Sequence, residues 1–168
     1  VLARFARTHP RIALDVKCEL TLTLLEGLAS GSYDMVLVKR EPQGPGGGVK
    51  VWREPLVWVS GHGYTPPADS AIPLVVSPNP CVYRKRAINS LEQVRRPWRI
   101  VYTSPSLSGA LAAVRAGLGV TILPKDMVPE GYHMLSANDG FPELDDTEIA
   151  LVPAPGTPST AARRRGEH

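Results

Sequence analysis

An α/β fold in two lobes, joined by two extended crossover segments, is the architecture the sequence predicts, and three observations predict it. Arg99 to Pro124, RIVYTSPSLSGALAAVRAGLGVTILP, reads as strand, capped helix and strand with almost no spare residues. An earlier stretch, RIALDV and then TLTLLEGLASG, repeats that grammar and sets Thr21 or Thr23 opposite Ser106 or Ser108 as helix entrances. Two apolar extended runs, Val49 to Val59 and Thr147 to Val152, are placed to carry the chain between the halves. With 168 residues, of which 43% are hydrophobic, the chain is long enough to bury a real core.

The opening VLARFARTHP carries Val1, Leu2 and Phe5 as the last turns of a helix that ends before Pro10, so the chain is expected to begin inside an element. Ile12, Leu14, Val16 and Cys18 then alternate with Ala13, Asp15 and Lys17, which predicts a strand with one wetter face. Thr23 stands three residues before Glu26 at capping-box spacing, Leu24, Leu25 and Leu28 form a short apolar stripe, and Gly31 can end that helix. Tyr33 to Val38 follows as a second strand, nearly all apolar on its far half, as a parallel strand buried on both faces should be.

Glu41 to Gly48 is a Pro/Gly-rich turn without the spacing of a phosphate-binding loop. Val49 to Val59, broken at Pro55, is the first crossover, and Gly61, Gly63, Pro66 and Pro67 mark its end. Leu74 to Ser77 is a short strand, Pro78 to Pro80 a turn, and Cys81 to Gln93 a helix. Ile100 to Tyr102 and Val120 to Leu123 are strands around a helix carrying Leu107, Leu111, Val114 and Leu118, so the second half reads βαβαβ. Glu148 is the acidic exception in the returning crossover, and beyond Pro153 no packing stripe remains. Lobe one therefore takes residues 1–59 and 143–154, lobe two residues 60–142, and 155–168 form a flexible tail.

A helix that starts at the carboxyl end of a strand presents unpaired amides there, and open α/β sheets bind ligands at that edge. Ser77 and Asn79 stand at one such entrance, Thr103, Ser104 and Ser106 at another, and Thr21 and Thr23 at the matching one in lobe one. Their small donors and acceptors suit a carboxylate or polar metabolite, and each can equally serve as an ordinary cap. Arg84 and Arg99 can neutralise an anion from the rim or lie in solvent.

Other function classes find less support. The 19 basic and 16 acidic residues leave a net charge of +3, and the tail Arg163, Arg164 and Arg165 equals that whole excess. A near-neutral body lacks the clustered cations of a DNA-binding face, and Arg84, Lys85 and Arg86 form only a local cluster. Cys18 and Cys81 cannot build a disulfide framework, so a reducing compartment is expected; Cys81, at a helix start near Arg84 and Lys85, is a chemically possible redox thiol or a spectator. His9, His62 and His133 have no metal-ligand spacing, and no cofactor is expected. Trp52, Trp58 and Trp98 lack a basic groove for stacked bases and are expected in core or hinge packing. No nucleophile elbow or ordered base points to an enzyme, and Asp145, Asp146 and Glu148 read as a solvated turn before a strand.

LARFARTHPRIALDV, LLEGLASGSYDMVLV, the WREPLVWV crossover and AAVRAGLGVTILP together make residues 1 to 153 resemble the effector-binding domain of LysR-type bacterial transcriptional regulators. That resemblance implies two Rossmann-like lobes of the periplasmic-binding-protein type, with a small-molecule effector in the cleft. It implies ligand contacts in Glu19 to Thr23, Ser77 to Pro80 and Thr103 to Ser106. It further implies a cytoplasmic homodimer, with the first helix and neighbouring strand meeting the Cys81 to Gln93 helix of a partner and Ile88 and Leu91 available as apolar contacts. Operator DNA is expected to be read by an upstream winged helix-turn-helix, not by these residues, and no membrane partner is expected. The alternatives are a truncated solute-binding protein of a transport system or a substrate-binding lobe of an α/β enzyme.

Overall fold

The computed structural model describes residues 2–42, 47–65 and 69–156. The chain runs α1 (Leu2–Thr8), α2 (Thr21–Ala29), β1 (Met35–Arg40), β2 (Val49–Glu54), β3 (Leu56–Gly61), β4 (Ile72–Val76), α3 (Val82–Gln93), β5 (Trp98–Thr103), α4 (Leu107–Arg115), β6 (Thr121–Pro124), β7 (Tyr132–Leu135) and β8 (Thr147–Pro153). The expected turn at 43–46, the prolines Pro66 and Pro67, and residues 157–168 lie outside the described residues.

Lobe two is built on β4, whose five residues are all buried. Successive side chains of a strand face opposite sides. Ile72, Leu74 and Val76 therefore pack with Ala87 and Leu91 of α3, while Val75 packs with Ala110, Ala113 and Val114 of α4. Burial on both faces explains the unbroken apolar run at this strand. β4 and β5 pair in parallel, and a parallel bridge from Leu74 to Val120 continues the arrangement toward β6. The approach there is close: a Cβ on Gly119 would stand 2.4 Å from the Pro73 carbonyl oxygen.

The antiparallel half of lobe two places β3 between β6 and β7. β7 has no counterpart in the sequence reading, since only four residues form it and two of them, His133 and Met134, are exposed. Trp58 is buried against Phe141 and donates its indole N–H to the Pro142 carbonyl at 2.9 Å. Trp98 packs on the same core, whereas Trp52 is exposed, a correction to the expected packing of all three. Leu91 is fully buried in this core, so it is withdrawn from the dimer contact expected of it.

In lobe one, β8 lies between β1 and β2 and is antiparallel to both. Leu28 of α2, Val36 and Val38 of β1 and Ala150 of β8 make a small core, with Leu24 and Tyr33 against it. Three expectations fail here. β1 is not a parallel strand buried on both faces: it runs antiparallel to β8, and Met35 and Leu37 are exposed. Residues 13–20 form no strand, and Ile12, Leu14 and Val16 are exposed. Alternation defines a face, but a strand also needs a neighbour to accept its ladder hydrogen bonds, and none of the described strands pairs with this segment. Thr23 is not a cap: α2 starts at Thr21 after Leu20, whose side chain cannot accept an amide.

Glu148 is buried, not part of a solvated turn. Register puts it opposite Arg40, whose Nε donates to Oε1 at 2.7 Å, while a second guanidinium nitrogen donates to the Gly47 carbonyl. Removing one member of a buried pair strands the other charge in a poor solvent. Glu148→Ala is expected to lower stability by about 3 kcal/mol, read from the urea midpoint; a loss under about 0.5 kcal/mol would mean the pair acts like a solvated surface bridge.

Candidate functional site

The two lobes enclose a cavity of about 520 Å³. Lobe one contributes Leu20, Leu37, Lys39, Glu54 and Ile149 to its wall, and lobe two contributes Val76, Ser77, Tyr83, Arg84, Leu107 and Leu111. β4 delivers Ser77 at its carboxyl end, and the first turns of α3 and α4 deliver Tyr83 with Arg84 and Pro105 with Leu107. The location matches the carboxyl-edge rule for open α/β sheets. A neighbouring cavity of about 440 Å³ lies between α2 and α3 and shares Lys39, Cys81 and Arg84 with the first.

The residues singled out in the sequence divide between these places. Ser77 lines the interlobe cavity, and Thr21 and Asn79 line the neighbouring one. Thr23 and Thr103 are exposed and stand in neither wall. Ser106 is the N-cap of α4, its hydroxyl accepting from the Gly109 amide at 3.4 Å. Ser104 is buried beneath that turn and its Oγ accepts from the Ser106 amide at 3.1 Å. Both hydroxyls thus have local work at the helix entrance, beside a cavity wall formed by Pro105 and Leu107.

Three side chains that line the cavity escaped the sequence reading: Glu54, Tyr83 and Lys39. Glu54 is buried at the bend between β2 and β3. Tyr83 of α3 donates its hydroxyl to Glu54 Oε2 at 2.6 Å, a length typical of a charge-assisted bond, and Thr147 donates to the same oxygen at 3.4 Å. The Trp52 indole reaches the other oxygen at 3.4 Å. Burial, reinforced by the Glu54 carboxylate, pushes the Tyr83 phenol well above its ordinary range, so it remains a donor throughout the neutral range. Lys39 Nζ lies 4.2 Å from the centre of the Tyr83 ring, a cation–π contact across the lobes. The available signals were a lone carboxylate between two apolar runs in VWREPLVWV and a cation closing the apolar run MVLVK.

The basic run on α3 is not a uniform solvated face. Arg84 donates to the Ser77 carbonyl at 3.3 Å, Lys85 pairs with Glu41 at 2.6 Å, and Arg86 reaches Asp145 at 3.3 Å and the Asp146 carbonyl at 2.9 Å. The hydrogen bond from Lys85 holds Glu41 below the ordinary carboxylate range, although both side chains are solvent-exposed and the pair is correspondingly weak. Arg99 is exposed. Cys18 and Cys81 are free thiols that line the same interlobe cavity. Among the described residues no group of His, Cys, Asp and Glu is arranged to hold a metal ion, and no helix is long and apolar enough to cross a membrane.

Two open α/β lobes closed around a shared cavity define a ligand-binding domain of the periplasmic-binding-protein type. The sequence matches the LysR substrate binding domain over residues 1–165, and the chain belongs to that family. It is 27% identical over 168 residues to the HTH-type transcriptional regulator DgdR of Burkholderia cepacia, covering all of this chain and 57% of that protein. It is also 27% identical over 159 residues to the HTH-type transcriptional regulator PecT of Dickeya dadantii (strain 3937), covering 92% and 49%. The chain thus spans about half the length of the curated relatives it matches. Among solved structures it shares its fold with the Synechocystis PCC6803 CcmR regulatory domain in complex with 2-PG, at TM-score 0.71, 15% identity and coverage of 98% and 85%. The reduced regulatory domain of OxyR2 from Vibrio vulnificus gives TM-score 0.73, 15% identity and coverage of 98% and 83%.

The Tyr83–Glu54 bond is the shortest polar tie between α3 and the β2–β3 bend. Hydrogen bonds to a carboxylate contribute more than neutral ones. A double-mutant cycle of Tyr83→Phe and Glu54→Leu, followed by chemical denaturation, is expected to give a coupling of about 1.5 kcal/mol. Additive losses would show that the two groups touch without stabilising each other.

Proposed function

We propose that this effector-binding domain senses a small polar or anionic metabolite in the interlobe cleft and passes the resulting change of lobe geometry to a homodimer. The observation that carries the reading is the cavity bounded by both lobes, with Lys39 from one and Arg84 from the other on its wall. A ligand touching both lobes binds the closed arrangement better than the open one, and that differential affinity is what shifts populations. The sequence puts the lobes at residues 1–59 with 143–154 and residues 60–142; pairing passes from β8 to β6 and β7 at Pro55, so the proposed pivot is Pro55 and residues 56–59 go with lobe two. Thr21, Thr23, Ser77, Asn79, Thr103, Ser104 and Ser106 remain candidate contacts, with Ser77 favoured by its place on the wall.

The relatives are transcriptional regulators of about twice this length, which supports operator binding by a separate helix-turn-helix module of a cytoplasmic protein. The same resemblance favours a regulator over a solute-binding protein or an enzyme lobe. In the dimer, α1 with residues 12–18 faces α3 of the partner, and half-buried Ile88 is the remaining apolar contact on that helix. The test is a metabolite screen by calorimetry on this chain, followed by operator titration of the full-length regulator. A saturable ligand that changes operator affinity by about fivefold or more, the low end of ordinary allosteric coupling, is expected. Operator binding that ignores every ligand shown to occupy the cleft would contradict the sensing role.

A further inference from the structure

The cleft reading leaves the class of ligand open between polar and anionic molecules, and the wall narrows it. Leu20, Leu37 and Ile149 of lobe one face Val76, Leu107 and Leu111 of lobe two across one cavity of about 520 Å³. A hydrophilic ligand placed there would surrender water to aliphatic carbon with nothing in return, whereas an apolar body is stabilised by each methylene it buries.

The charged groups are few and unequal. Glu54 has its carboxylate engaged by the Tyr83 hydroxyl, the Thr147 hydroxyl and the Trp52 indole. The two cations are differently placed. Lys39 lies over the Tyr83 ring, and Arg84 spends one N–H on the Ser77 carbonyl; among the described residues neither forms an ion pair. Both line the interlobe cavity and the smaller one beside it, so they stand where the two spaces meet, and Lys39 lies two residues along β1 from Leu37 of the aliphatic wall. Two cations without an ion-pair partner among the described residues, against one carboxylate already engaged by three donors, beside an aliphatic wall match a ligand with one anionic head and an apolar tail.

We infer that the cleft takes an amphipathic monocarboxylate, its carboxylate held by Lys39 and Arg84 and its hydrocarbon body laid along the aliphatic wall. This rests on the proposed use of the cleft as the effector site and narrows its ligand. A dicarboxylate or a sugar-like polyol fits less well, because its further polar groups would face Leu37, Leu111 and Ile149 without partners.

Octanoate, octanamide and succinate separate the contributions, with binding to the whole chain read by calorimetry and by chemical-shift changes of cleft residues. Octanoate should saturate, with octanamide and succinate each about tenfold weaker or more. Lys39→Met and Arg84→Met, each checked for native circular dichroism, should weaken octanoate about tenfold and leave octanamide unchanged. Leu111→Glu should weaken octanoate and octanamide together. The use of two cation variants keeps the test decisive should loss of the Lys39–Tyr83 contact disturb folding. Equal binding of octanoate and octanamide, preference for succinate, wild-type octanoate affinity in Arg84→Met, or binding of none of the three at the cleft would each overturn the inference. Preference for succinate would do so while leaving the effector site in place; octanoate bound as expected without any change in operator affinity of the full-length regulator would instead overturn the sensing function alone.

Discussion

A carboxylate taken out of water needs donors around it, and Glu54 meets that need with groups that the chain brings from three directions. Trp52 comes from its own strand, Thr147 from the start of the returning strand β8, and Tyr83 from the first turn of α3 in the other lobe. The bend at Pro55, the return of the chain and the docking of α3 are thereby tied to one side chain. Lys39 extends the tie, because the ring it covers is the ring whose hydroxyl Glu54 holds. The walls of the cleft thus meet at a polar junction, while the space between them stays mostly aliphatic.

β8 supplies the second constraint. The chain crosses from lobe two back to lobe one and pairs there with both β1 and β2, so the outgoing and returning passes are hydrogen-bonded neighbours. Such a pair can flex while keeping the lobes in register, as the proposed change of lobe geometry requires. Arg40 and Glu148 fix that register from within, since a shift by one residue would place Glu148 against a different neighbour and leave its charge unpaired.

Much of the fold was legible because the βαβαβ half carries its pattern in the primary sequence: β4 and β6 are short apolar runs, α3 begins within a residue of where the turn at Pro78 to Pro80 puts it, and α4 ends two residues before Gly117, which leaves Leu118, expected on its stripe, outside the helix and exposed. What failed has a physical cause in each case. Residues 12–18 have the alternation of a strand but no described partner, and β7 is too short and too exposed to announce itself. The site was legible as a place, the carboxyl edge of β4 and the entrances of α3 and α4, more than as a set of side chains. The Ser104 and Ser106 hydroxyls make local bonds at the entrance of α4, and a sequence cannot separate such capping from ligand contact. The contacts that join Lys39, Glu54 and Tyr83 run between residues 29 or more apart in the chain, so no local pattern distinguished them.

The central claim is that the Glu54 junction sets the angle between the lobes. Spin labels on cysteines introduced at exposed Glu26 of lobe one and Lys125 of lobe two, with Cys18 and Cys81 replaced by serine, report the interlobe distance by pulsed electron resonance. One narrow distance distribution is expected when Tyr83 is present, and a broader one, shifted toward greater separation, in Tyr83→Phe. An identical distribution in the two proteins would contradict the account.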